Sequence, residues 1–368
     1  MNLELESYSK IGSYSEDDVK FLLKDLSGVQ LEGSTETREK RIQSGEHYSE
    51  TLPVEYQPPE EYLKLFHQTL HDYKKIVALQ VGIVAEKILS QKGENTILVS
   101  LARAGTPIGI LIKRYIEWKY SISLPHYSIS IIRGRGIDVN AIKYIIENHP
   151  NGKIQFVDGW TGKGAISIEL TKSCNELREE NGIDIDDTLA VLADPGHCTT
   201  LFGTRDDFLI PSACLNSTVS GLVSRTVLNE KYIGRNDFHG AKFYRELMDN
   251  DLSNEYIEVI TNEFINIKEE VSHEIKSAQQ DIKATFAGYE TVKRIMKDFD
   301  IHDVNFVKPG VGETTRVLLR RVPWKILVRD FESPYMKHIL MLCEERNVGV
   351  ELYPDMEYTC CGLIKNVR

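Results

Sequence analysis

The sequence predicts an α/β protein in two parts: a parallel sheet flanked by helices, then a small C-terminal α/β domain. Three observations carry that expectation. Short apolar runs alternate with helical periods between residues 96 and 193, the pattern of strands joined by helical crossovers. Each apolar run ends in a turn with glycine or proline: Ala102 to Pro107, Arg133 to Gly136, Asp158 to Gly164 and Asp194 to Cys198. Near residues 285–305 the alternation restarts, and the following 70 or so residues suffice for a core of their own.

The elements follow in order. Residues 1–60 read as an irregular N-terminal extension with one short helix, because Ser15-Glu16-Asp17-Asp18 makes a capping box before Val19, Phe21, Leu22 and Leu23. The main domain is set at 61–290. It opens on a long amphipathic helix over 60–91, with Leu65, Phe66, Leu70, Tyr73 and Val77 at helical spacing. Strands are expected at 96–101, 126–132, 154–157 and 188–193, and helices at 108–119, 139–148 and 166–177. Residues 211–225, rich in small polar residues, either wrap the site or cap the sheet edge. One or two helices are expected over 254–284. In the C-terminal domain, 300–368, residues 304–309 lead into the glycine turn 310–316, followed by a helix to 319, strand 325–328, helix 334–346 and strand 348–352, with a helix over 288–298 before it.

Bulk numbers narrow the class. A chain of 368 residues, 41% hydrophobic and 27% charged, buries real cores. No apolar run approaches the roughly 18 residues of a membrane span, so no membrane role is expected. The polar, acidic start is unlike a secretory signal. Six cysteines without framework spacing or a CxxC pair point to a reducing, cytoplasmic setting and away from structural zinc. The net charge of -11 argues against a wholly nucleic-acid-binding surface. Residues 301–368, however, carry 10 Lys and Arg against 9 Asp and Glu, so the acidity lies elsewhere.

The chemistry concentrates in Asp158-Gly159-Trp160-Thr161-Gly162-Lys163-Gly164. A strand delivers one carboxylate and a glycine turn opens a helix. Helix N-termini attract phosphate through unpaired N–H groups and the dipole, and glycines let a ligand approach the backbone. Trp160 either stacks on a ring or packs as a lid. Arg133 and Arg135 are either closing charges or a solvated basic turn. His239 either contacts ligand or caps a helix.

These residues resemble known loops. Val157-Asp158 with Thr161-Gly162-Lys163-Gly164 resembles the phosphoribosyl diphosphate (PRPP) loop of type I phosphoribosyltransferases, and Ser100 to Pro107 is similar to their pyrophosphate loop. Together with His126 to Ile132 and Asn216 to Arg225, they look like a bacterial phosphoribosyltransferase-like family linked to tellurite and stress-response neighbourhoods, also labelled StiP, a cysteine protease. The resemblance spans about residues 10–285. It implies an enzyme that binds PRPP or another phosphorylated ribose or nucleotide with Mg²⁺. Asp158, Arg103 and Lys163 would be catalytic. Thr161, Gly162 and Gly164 would hold the 5′-phosphate, and Ala104, Gly105 and Thr106 the pyrophosphate. Asp158 and Asp194 would serve the metal. The usual second acid beside Asp158 is replaced by Gly159, and the loop is shorter. A homodimer is common for this fold.

A second resemblance covers about 300–368. Gly310-Val311-Gly312-Glu313-Thr314-Thr315-Arg316, with Lys325 to Val328 and Leu342 to Val348, looks like the Pelota-type RNA-binding domain, related to kink-turn-binding proteins. It implies RNA contacts from Gly310, Gly312, Glu313 and Arg316. Gly312 and Arg316 stand where the family has Asn and Lys, which favours phosphate contact over base readout.

The leading expectation is therefore a phosphoribosyltransferase-like enzyme with an RNA-binding tail. The alternatives are a cysteine hydrolase using Cys198, with His126 or His239 as base and Cys214 as a weaker nucleophile, and a non-catalytic RNA- or nucleotide-binding protein.

Overall fold

A computed structural model describes residues 10–33, 45–277 and 283–365. Short pairings open the chain: β1 (Lys20–Phe21), β2 (Lys24–Asp25), β3 (Glu32–Gly33) and β4 (Leu52–Pro53). Helix α1 (Glu60–Lys92) leads into β5 (Thr96–Leu101), α2 (Gly105–Tyr120), β6 (His126–Ile129), a hairpin of β7 (Ile131–Ile132) and β8 (Gly136–Ile137), α3 (Val139–Asn148), β9 (Lys153–Val157), α4 (Ala165–Asn181), β10 (Leu189–Ala193) and β11 (Leu201–Thr204). After β12 (Gly240–Ala241) come α5 (Ser253–Thr261) and α6 (Phe264–Ser277). The end of the helical stretch expected to 284 lies partly outside the described residues.

The main sheet runs β1-β6-β5-β9-β10-β11 with every pairing parallel. Parallel sheets are covered on both faces, so their strands are apolar throughout. The strands obey this: Ile97, Val99, Ile154, Phe156, Leu189 and Val191 enter one core with α3 and α4, while Leu98, Val157, Ala190 and Leu192 enter the other with α1 and α2. The alternation is the period of two that a pleated strand imposes.

The short N-terminal helix does not form. Asp18 and Val19 both donate backbone bonds to the Ser15 carbonyl, which makes one turn, and the chain then extends as β1 beside β6. Phe21 and Leu23 join one core and Leu22 the other. A residue run that must serve both faces of a sheet satisfies a strand rather than a helix.

The C-terminal part holds α7 (Ala287–Asp298), β13 (Val307–Pro309), α8 (Val311–Arg320), β14 (Pro323–Val328), α9 (Lys337–Glu345), β15 (Gly349–Leu352) and β16 (Cys360–Ile364) in a sheet ordered β13-β16-β14-β15. Strand β16, which the sequence reading omitted, pairs antiparallel with both β13 and β14. Val311, Leu318, Ile326, Val328 and Ile339 are continuous with the α1–α2 core of the first part. Tyr73 of α1, Phe208 and Tyr335 place their rings 6.3–6.4 Å apart across the junction. The second part is thus packed onto the carboxyl ends of the main sheet.

Candidate functional site

The turns after β5, β9 and β10 meet at the carboxyl end of the sheet, where open α/β sheets place their ligands. A Cβ on Gly105 would lie 2.5 Å from the Val157 carbonyl oxygen, so glycine is required for the first turn to approach β9. Gly164 caps α4 at φ +81°, where a Cβ would also meet the Phe286 ring at 2.7 Å and the Cys198 sulfur at 3.0 Å. Gly164→Ala is expected to cost about 2 kcal/mol from left-handed strain and overpacking, read as a lower thermal midpoint.

The glycine turn is filled by protein. The Thr161 hydroxyl donates to Asp194 Oδ1, and the Gly162 carbonyl accepts from Tyr358 Oη at 3.0 Å. Lys163 Nζ donates to the carbonyls of Val304, 2.6 Å, and Val307, 3.2 Å. The Phe286 and Gly288 amides bond the His197 and Gly196 carbonyls at 2.9 and 3.2 Å. Thr161 is thus committed to Asp194, and Lys163 and the Gly162 carbonyl to the C-terminal part.

The expected pyrophosphate turn is committed in the same way. Arg103 Nη1 donates to the Val223 carbonyl at 3.1 Å and stands 3.8 Å from Glu55. The Thr106 hydroxyl bonds Ser128 at 2.7 Å. What opens beside this turn is a small cleft of about 30 Å³ lined by Arg103, Ala104, Ser212, Asn216, Ser220 and Arg316 among others. The small polar segment 211–220 thus wraps the cleft. Cys198 does not line it.

Of the two carboxylates expected to serve Mg²⁺, Asp194 is already committed within the protein. Asp194 is fully buried; Oδ1 accepts from Thr161 and the Cys198 amide, while Oδ2 accepts from the Thr199 amide and Arg205. Its carboxylate is spent on the β10 turn. Asp158 is half-buried; Oδ1 accepts from Gly159 N at 2.8 Å, and burial pushes its pKa up to about 6 against the pull of Arg316. Among the described residues no group of three His, Cys, Asp or Glu side chains is arranged to hold a metal.

Cys198 is the cysteine nearest this chemistry. It follows the β10 turn, its amide held by Asp194 at 2.8 Å, and its thiol faces the Gly162 carbonyl at 3.7 Å beside the start of α4. A helix N-terminus favours thiolate, but here burial wins and, with Asp194, lifts the thiol to about 12. Cys174 is enclosed between Leu170 and Leu177 in the α3–α4 core. Cys214 is fully buried 3.7 Å from Thr69 Oγ1, and burial raises it to about 11.

Neither histidine proposed as base reaches Cys198. His126 bonds Ser100 Oγ and the Asp18 carbonyl, both at 2.8 Å, and burial drops it to about 4. His239 bonds Ser130 Oγ at 2.9 Å, and its amide donates to Asp138. It heads no helix; Gly240 and Ala241 form β12 instead. His197, the imidazole of the Cys198 turn, has φ +56° and lies 3.8 Å from Glu357 of the C-terminal part.

The turn assigned to RNA points inward. Gly310 and Gly312 are buried, and Gly312 sits against Trp160. Arg316 lies over the Trp160 ring at 4.8 Å, pairs with Glu313 at 3.0 Å and donates to the Ala213 carbonyl at 3.4 Å. Trp160 is accordingly a packing surface of the junction. Arg135 pairs with Glu50 at 2.5 Å, while Arg133 stays exposed.

Two residues of the junction escaped the sequence reading. Asp207 is buried and accepts the Val311 amide at 2.9 Å and the Thr359 amide at 2.8 Å, clamping the start of α8. Tyr358 covers the glycine turn. Asp207 follows Arg205-Asp206, which reads as an ordinary charged loop, and Tyr358 lies in a polar stretch, so neither carried a sequence signal.

Comparison with known proteins decides between the readings. Residues 12–261 match the family described as "Tellurite-like stress resistance cysteine protease StiP", and residues 286–366 match the "PELOTA RNA binding domain". The protein "Cysteine protease StiP" of Acinetobacter baylyi (strain ATCC 33305 / BD413 / ADP1) is 34% identical over 353 residues, covering 94% of this chain and 91% of that protein. These findings overturn the phosphoribosyltransferase expectation with its PRPP ligand and favour the cysteine-protease alternative, in accord with a glycine turn occupied by Tyr358 and Lys163. The chain, matched over most of its length, belongs to the StiP family.

Proposed function

We propose that the protein is a cysteine peptidase or related hydrolase in which Cys198 is the nucleophile. The position of its thiol carries the reading. Of the three cysteines inside the StiP match, it alone borders a helix N-terminus in a turn at the carboxyl edge of the sheet. The thiolate would attack a scissile carbonyl and form a thioester as the amine leaves with a proton; water then releases the acid. At a pKa of about 12, only about one thiol in 10⁵ is ionised at neutral pH. Catalysis therefore belongs to a form in which Tyr358 and Phe286 withdraw. His197, held near Glu357 in the docked form, is the candidate base of that form.

The test uses a mixed pool of unlabelled peptides with the full chain. Iodoacetamide should remove hydrolysis in step with a single adduct mapped to Cys198. Hydrolysis persisting at full Cys198 alkylation rejects the assignment. A second reading, RNA binding by the C-terminal part, is favoured by the Pelota match over 286–366.

A further inference from the structure

We propose that the C-terminal part carries a stacking platform for the bases of single-stranded RNA, built from Phe299, Trp324 and Tyr353. The inference rests on the RNA-binding reading above and gives it a location. The glycine turn expected to contact RNA is buried against Trp160. The three rings lie within the matched residues 286–366, on the sheet face opposite α8. Leu327 of β14 meets Phe299 and α7 there, whereas Ile326 and Val328 enter the core shared with α8.

Three element ends bring the rings together. Phe299 follows α7, and its amide donates to the Ile295 carbonyl at 3.0 Å. Trp324 occupies a bulge in β14: Pro323 and Lys325 face the consecutive residues Ile364 and Leu363 of β16, so Trp324 has no residue opposite. A bulge re-aims a side chain. The Trp324 ring accordingly stands edge to face with Phe299, their centroids 6.1 Å apart and their planes at 88°. Tyr353 follows β15, its ring 6.2 Å from Phe299. Its amide donates to the Val328 carbonyl and its hydroxyl to Asp298 Oδ2, both at 2.7 Å. Phe299 is rooted on the core of Val292, Ile295 and Leu327, while Trp324 is 42% exposed. The platform is thus fixed before any ligand arrives, which lowers the ordering cost of binding. Lys325 Nζ stands 5.3 Å from the Phe299 centroid and 5.7 Å from that of Trp324. A surface pair with Glu351 holds it there, and such a pair is weak enough to yield to a phosphate. Solvent-facing rings with a cation at their rim match a nucleotide, which offers a π-face to stack and a phosphate beside it.

The test titrates the full chain against a fluorescein-labelled oligouridylate by anisotropy, and against the unlabelled strand by tryptophan emission. Trp324→Ala should weaken binding by about tenfold or more, the worth of one stacked base, and Trp324→Phe should recover most of it. Emission should be quenched on binding in the wild type and in Trp118→Phe, an exposed ring of α2, but not in Trp324→Phe. An RNA duplex of the same length should bind more weakly, since its bases are not free to stack. Unchanged affinity in Trp324→Ala, or a duplex bound as tightly as the single strand, overturns the platform while leaving RNA binding intact. Absence of RNA binding at low salt overturns the RNA reading and the platform together. A dimer in sedimentation that Trp324→Ala dissociates, with RNA affinity unchanged, gives the face to a second copy of the chain and also overturns the proposal.

Discussion

Replacing Cys198 with alanine is expected to remove peptide hydrolysis, lowering kcat/KM by about 10⁴-fold or more. Loss of a covalent nucleophile leaves only binding and electrostatic contributions, and in cysteine and serine hydrolases this costs many orders of magnitude. Cys214→Ala should leave kcat/KM within about threefold, because Cys214 lies in the interior against Thr69 and away from the Gly162–Gly164 turn. The pair separates chemistry from packing. Both variants remove one buried sulfur, and each should lose about 1–2 kcal/mol of stability. A larger activity loss in Cys214→Ala than in Cys198→Ala would move the nucleophile to the Pro211–Asn216 segment. His197→Gln should leave thiol alkylation of unfolded protein unchanged yet shift the pH profile of hydrolysis, if the imidazole ionises the thiol.

The second large effect is expected at Asp207. Its carboxylate accepts two amides of the C-terminal part, those of Val311 and Thr359. Asp207→Ala strands both donors at a buried junction, a loss of about 3 kcal/mol after allowing for the burial cost of the native charge. Undocking of the C-terminal part should then precede unfolding of the main sheet and split the thermal transition. The same residue makes docking pH-dependent. Burial raises its pKa to about 6, against an ordinary 3.8 in the open chain. The docked form therefore binds the proton more tightly, and its contribution is full below about pH 4 and lost as pH rises through about 6. Docking should tighten as pH falls from 7 to 5 in the wild type, and Asp207→Asn should flatten that slope. A wild-type curve rising with pH over this window would contradict the assignment.

Much of the architecture could be read from residue patterns, and the reasons are local. Ile97, Val99, Phe156 and Val191 lie in runs apolar on both faces, which only a covered parallel sheet satisfies. The turns after those runs announced themselves by glycine, and Gly105 and Gly164 are needed for close approach or a positive φ. Site chemistry was less legible. The turn Thr161 to Gly164 has the composition of a phosphate cradle, but composition is silent on what fills it; Tyr358 and Val304 come from about 200 and 140 residues away in the chain. Arg316 looked like an RNA-facing residue because its turn is defined locally, whereas its exposure is decided by Trp160 of the other part. Residues 19–23 misled for a related reason: a capping box is a local signal, and β6 supplied a stronger non-local partner.

The most direct test of the account is the rate at which iodoacetamide labels Cys198, followed by peptide mass mapping in the wild type and in Asp207→Ala. If the C-terminal part covers a latent nucleophile, labelling is slow in the wild type. Release of about 3 kcal/mol of docking should speed it by about 10²-fold, since reaction tracks the open population. Equal rates in the two proteins, or wild-type labelling as fast as a free thiol, would contradict a Cys198 held beneath Tyr358 and Phe286.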